Sequence, residues 1–236
     1  DLLADIEDSL TNKQLIKTSS KTTFISFKIL KSRDFWYLFI IYTSFLSISI
    51  CWKNIIGTFG SIFNYSISKI DSLVYGWSLF NASIRILMGY ISDKYVLKSY
   101  IIYPRIIWLI IAGIFALLTN LLYLFGLYDS IVWLITLFIA GLYATSIAII
   151  STLISLKFGI EYFGFNMGLI SFIPGFTALL YTYLSSIWIN NTCQYEECFI
   201  NIFELFSCSI IIGIIFSYLQ LKRVDTLNKK KIKILN

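Results

Sequence analysis

The sequence predicts an all-α, polytopic membrane protein with six transmembrane helices, and three observations predict it. Six long apolar runs, at about 35–57, 73–91, 105–125, 131–155, 165–188 and 199–221, punctuate the 236 residues. Each is about 20 residues, the length that crosses a hydrocarbon core of about 30 Å as a helix. Hydrophobic residues make up 58% of the chain and charged residues 14%, against about 25% charged in ordinary soluble domains. Of the 19 basic residues, all but Lys53, Lys69 and Arg85 fall on one side of the runs when these are threaded in order. Positive charge is retained on the cytoplasmic side during insertion, so both termini are expected to be cytoplasmic, in a plasma or an organelle membrane. Strands are not expected, because sheets cross bilayers only as closed barrels with alternating patterns.

The net charge of +6 follows from this topology. The basic residues border the membrane and form no single patch, so the lipid bilayer and not nucleic acid is the expected partner. Histidine is absent. That removes Ser–His and Cys–His nucleophilic pairs, His-ligated metals and His proton shuttles, so no enzyme, metal site or cofactor is expected.

Residues 1–33 are acidic and then basic, rich in Ser, Thr and Lys, and read as a cytoplasmic linker. The chain opens without an initiator Met or an apolar leader and reads as an internal segment of something longer. Residues 24–31 have the pattern of an amphipathic helix lying on the membrane. The membrane part covers 34–222, and a basic tail at 223–236 anchors the last helix against anionic lipid.

The first run carries Lys53 and Asn54 toward its external end. The lysine stem can snorkel outward, or it can line a polar opening with Asn54. The second run holds Arg85, eight residues before Asp93 and so on the order of 12 Å from the cytoplasmic end. A guanidinium stays charged, so it must face a cavity, a carboxylate or an anionic ligand. Asn81 and Gly89 share its helix face. That face offers a fixed cation, an amide and a gap, which suits a small carboxylate held through two parallel hydrogen bonds. Structural pairing of Arg85 with Asp93, or with residues outside this chain, is the alternative.

Pro104 opens the third run, where its missing N–H costs nothing. Asn120, in that run, and Asn166 read as interhelical hydrogen-bond partners. In the fifth run Gly164 and Gly168 stand one turn apart and would let another helix come close. Pro174, followed by Gly175, should kink or loosen that helix. Short connections imply that neighbouring helices pack antiparallel. Cys51 and Cys208 lie inside runs as small apolar residues. Cys193 and Cys198 share the last external loop, where either a disulfide or two thiols are open to them.

Around Arg85 the chain reads Asn81-Ala82-Ser83-Ile84-Arg85-Ile86-Leu87-Met88-Gly89-Tyr90-Ile91-Ser92-Asp93-Lys94, followed by Lys98. This resembles the Gly-x-x-x-Asp-Arg/Lys signature of the major facilitator superfamily in its second-half copy, with Val96 where that signature has a glycine. Asp34-Phe35-Trp36, Tyr103-Pro104-Arg105, Phe158-Gly159, Phe163-Gly164 and Cys193-x4-Cys198-Phe199 are similar to stretches of its nodulin-like and monocarboxylate-porter branches. The resemblance implies that the six spans are helices seven to twelve of a twelve-helix transporter. An N-terminal six-helix half, of the same or another chain, would be the partner. It also implies a substrate-binding arginine at Arg85, and a cytoplasmic gate from Gly89, Asp93, Lys94 and Lys98. Asp93 would meet the positive end of the helix beginning near Gly164. Asn81 stands where the porters often carry a proton-coupling acid. The expected function is secondary active transport of a small organic solute, an anionic carboxylate, by alternating access. A non-transporting six-helix subunit or scaffold is the alternative.

Overall fold

The computed structural model describes residues 27–98, 103–125, 128–192 and 199–235, with side chains for 29–94, 105–125, 131–190 and 199–223. A short 3-10 helix, Phe27–Lys31, leads into six α-helices. These are α1 (Arg33–Ile62), α2 (Ile67–Lys98), α3 (Tyr103–Leu124), α4 (Tyr128–Phe158), α5 (Phe163–Thr192) and α6 (Ile200–Leu235). All except α2 are long and apolar enough to cross a membrane. At 32 residues α2 has the length, but Lys69, Asp71, Arg85, Asp93 and Lys94 dilute its apolar character. The protein is a polytopic helical membrane protein.

Each helix covers the run that predicts it to within one residue, and most extend a few residues beyond. Two boundaries differ from expectation. The helical stretch before α1 is a single 3-10 turn from Phe27, and residues 24–26 lie outside the described residues. Helix α6 continues through the basic tail to Leu235, because Leu, Lys and Gln are good helix formers and no Gly or Pro follows Gly213 to stop it. Gly159 ends α4 at φ +85°, a conformation that costs glycine little.

Helices adjacent in sequence mostly do not pack on one another. The extensive contacts are α3 with α6, α2 with α4, α1 with α5, α3 with α4, α1 with α6 and α1 with α4. Contacts of α1 with α2, α2 with α3, α4 with α5 and α5 with α6 are slight. The expected antiparallel pairing of successive spans therefore holds only for α3 and α4. The helices form a row α2–α4–α1–α5, with α3 behind α4, α6 behind α1, and α3 against α6. Exchanging α1 with α4, α2 with α5 and α3 with α6 maps this contact pattern onto itself, including its strong and weak members. Two three-helix units of inverted topology pack in this way.

Glycine sites draw the helices together. Phe45 of α1 is fully buried and fills the space over Gly213 of α6 and Gly113 of α3. Trp133 of α4 lies over Gly76 of α2, Phe80 of α2 over Gly141 of α4, and Ile70 of α2 over Gly60 of α1. Close approach through small residues is a main source of helix association where lipid removes the hydrophobic drive. Polar side chains of α1 add links to α4, the Trp52 indole Nε1 donating to the Thr136 hydroxyl at 3.3 Å and the Ser49 hydroxyl to the Ile139 carbonyl at 3.4 Å.

The two ends of the bundle differ. At one end Phe59, Phe63, Tyr65 and Phe199 stack together, with Tyr123 and Phe203 alongside. At the other, Asp34 in the first turn of α1 pairs with Lys157 of α4 at 3.3 Å and Arg223 of α6 at 3.3 Å. Gln220 also reaches Asp34, at 3.5 Å. The carboxylate sits at the positive end of α1, and Lys157 near the negative end of α4, so each charge also complements a helix dipole.

Candidate functional site

The row α2–α4–α1–α5 carries a ribbon of cations and rings. Arg85 is exposed on α2, with Nη2 3.5 Å from Asn81 Oδ1 and its guanidinium 5.9 Å from the Tyr143 ring of α4. Tyr143 packs against Trp77 at 5.4 Å between centroids, and the Lys53 ammonium lies 5.2 Å from the Trp77 ring. Lys53, Trp77, Tyr143 and Arg85 thus follow one another across α1, α2 and α4. Among the described residues no carboxylate pairs with Lys53 or Arg85. Arg85 does not pair with Asp93, which lies eight residues along the helix and accepts from Arg105 instead.

Lys53 therefore leans on an aromatic face, a favourable place for an ammonium. Its neighbour Asn54 turns toward α5, where Nδ2 donates to Thr182 at 3.4 Å. The two residues that the sequence groups together serve different neighbours, since consecutive helical positions point about 100° apart. Tyr42 of α1 is buried, within electrostatic range of Tyr143 and Arg85. Trp77, Tyr143 and Tyr42 are site residues that sequence reasoning missed. Aromatic residues are abundant in this chain, and only the helix packing distinguishes these three.

The gate residues are arranged differently from expectation. Asp93 accepts from Arg105 Nη2 at 2.9 Å, a contact from the end of α2 to the start of α3 and not to α5. Arg105 is 4% exposed, and its Nε and Nη1 have no partner among the described residues. An arginine so deeply set takes the carboxylate within reach, which outweighs the weaker pull of a helix end. Lys94 lies 5.8 Å from the Tyr90 ring. Gly89 faces open space. Lys98 is the last residue of α2, and its side chain lies outside the described residues.

On α5, Pro174 is buried and the helix runs on without interruption from Phe163 to Thr192. The Pro174 carbonyl accepts from Thr177 at 3.1 Å and from Ser47 of α1 at 3.3 Å, and the Ser47 and Thr177 hydroxyls bond to each other. These bonds make the Pro174 position a polar tie between α5 and α1. Gly164, Gly168 and Gly175 face open space, as does Gly57 of α1. Among the described residues no atom lies within 4 Å of a Cβ placed on Gly164 or Gly168, so the room they leave for another helix is unfilled. Neither polar atom of the Asn120 amide finds a partner among the described residues, so the interhelical bond expected of it is not made there, and Asn166 Oδ1 also has no partner among them. Cys193 and Cys198 lie outside the described residues. Compared with protein-family models, curated proteins and solved structures, the chain matches none.

Proposed function

We propose that this chain is one six-helix half of a secondary transporter for a small organic anion, with Arg85 as the cation that holds a carboxylate. The observation that carries the reading is the state of Arg85. It lies within α2, exposed, next to the Asn81 amide and the Tyr143 ring, with no acid beside it among the described residues. A permanent charge at that depth needs an anionic partner or water. A carboxylate satisfies a guanidinium through paired charge-assisted bonds, and the ring faces give it a dry, oriented wall.

The inverted packing of α1–α3 against α4–α6 supports the transporter reading, since many secondary transporters are built from such repeats around a midplane site. It is also in keeping with the resemblance to helices seven to twelve of the major facilitator superfamily. The outer members of the row, α2 and α5, carry open glycines at 89 and 175 and many exposed apolar side chains. A glycine exposed in a helix costs about 0.5–1 kcal/mol relative to alanine, and close approach by another helix offsets it. The N-terminal half is the partner of that surface. The basic asymmetry of the sequence makes the Asp34 end cytoplasmic.

The test is uptake by the intact polypeptide in proteoliposomes, using labelled small monocarboxylates, with Arg85→Ala and Arg85→Lys beside wild type. Loss of uptake in Arg85→Ala with unchanged folding supports the reading. A six-helix product that carries no solute in any combination would favour the scaffold.

A further inference from the structure

We propose that the Asp34 end of the molecule holds an anionic phospholipid, with an acyl chain in a groove between α1 and α5 and the phosphate at the positive starts of those helices. The inference needs the membrane-spanning fold and is independent of the transport reading.

The groove has a volume of about 590 Å³ and is lined by apolar side chains, among them Leu30, Phe35, Trp36, Phe39, Leu169 and Phe172. That volume lies within the range of about 300–1,000 Å³ of ordinary ligand pockets, and an apolar lining with no polar anchor suits a hydrocarbon chain. Its lining includes residues from the first turns of α1 and α5, which begin at Arg33 and Phe163, so two positive helix dipole ends lie beside it. Lys31 and Arg33, both exposed, stand between the lining residues Leu30 and Phe35. Two acids lie near in sequence. Asp34 is engaged by Lys157 and Arg223, and Glu161 is exposed in the turn before α5. Trp36 is 48% exposed in the groove wall, and its indole donates to the Leu30 carbonyl at 2.8 Å. An indole held in this way, beside cations at the start of a span, marks the headgroup level of a bilayer. Apolar groove, flanking cations and helix starts together match a lipid with a negative headgroup, the kind concentrated on cytoplasmic leaflets.

The experiment offers the purified intact polypeptide equal amounts of phosphatidylglycerol and phosphatidylcholine with identical chains, read by native mass spectrometry. Wild type is expected to retain phosphatidylglycerol about fivefold over phosphatidylcholine or better, since each cation near the surface contributes roughly that factor. The double variant Lys31→Gln, Arg33→Gln should lose the preference. Gly168→Leu should lower retention of both lipids, because the Gly168 side-chain position is open and a leucine would fill the groove. If that variant folds poorly, Phe172→Ala, at an exposed wall residue, should also lower retention. Equal retention of the two lipids by wild type would overturn the proposal. So would retention that neither groove variant changes, or adducts that form only after residues 1–20 are removed, which would make the chain's own leading segment the occupant.

Discussion

Replacing Gly213 with alanine tests the packing that holds α1, α3 and α6 together. A Cβ there would lie 2.7 and 2.8 Å from Phe45 Cζ and Cδ1, with Cε1 closer still. Carbon atoms are comfortable at about 3.5–4.0 Å, so the overlap is on the order of 1 Å on several atoms at once. The ring has little room to retreat. Phe45 is fully buried, and a Cβ on Gly113, across the ring on α3, would already be 3.3 Å from Phe45 Cζ. Overpacking of this kind costs about 1–3 kcal/mol, and alanine returns up to about 1 kcal/mol through helix propensity. A net loss of about 2 kcal/mol corresponds to roughly 4–8 °C for a chain of this size. The assay is thermal unfolding in detergent, followed by size-exclusion of the surviving fraction. Adding Phe45→Leu should relieve the clash, leaving the double variant more stable than the sum of the single losses by about 1–2 kcal/mol. A Gly213→Ala protein that melts with wild type, or two losses that simply add, would refute the reasoning.

Other changes separate structural from functional positions. Gly175→Ala, at an open position, should melt at or slightly above wild type, yet slow transport if another helix lies there. A melting point several degrees lower would mean that α5 is packed differently. Asp34→Asn breaks both ion pairs of an acid that is 23% exposed and should cost about 1–3 kcal/mol in the same unfolding assay, with Lys157→Met recovering part of it. No recovery would count against the clamp. Asp93→Asn leaves Arg105 buried without its acid, so it should destabilise by about 1–3 kcal/mol, and Arg105→Met in that background should restore stability. Unchanged melting in Asp93→Asn would remove this contact from the account.

The helices are legible in the sequence because bilayer thickness sets a length that composition alone reveals. Which helices touch is not legible. The glycines that receive neighbours, at 60, 76, 113, 141 and 213, are filled by Ile70, Trp133, Ile214, Phe80 and Phe45, and all but Ile70 are distant in sequence. Gly164 and Gly168 have the spacing of a packing motif, yet they face open space. Spacing reports that a helix can be approached, not by what. Arg85 stands out in the sequence because a guanidinium in an apolar run is costly. Tyr143 and Trp77 do not stand out, since a ring in a membrane helix has many ordinary uses. Asp93 pairs with Arg105 and not with the start of α5, because the dipole of α5 is a generic attraction, whereas Arg105 offers a directed bond at 2.9 Å.

The most direct measurement is uptake of labelled monocarboxylates, from acetate to benzoate, by proteoliposomes holding the intact polypeptide with Arg85 or with alanine in its place. Among the described residues Arg85 makes a 3.5 Å contact to Asn81 and a ring contact to Tyr143, so the variant should fold and insert as wild type does. Wild type is expected to carry at least one monocarboxylate. In Arg85→Ala its uptake should fall by about 100-fold, the loss expected for charge-assisted hydrogen bonds of about 3 kcal/mol, with a smaller loss in Arg85→Lys. Uptake by Arg85→Ala at the wild-type rate would contradict this role for Arg85.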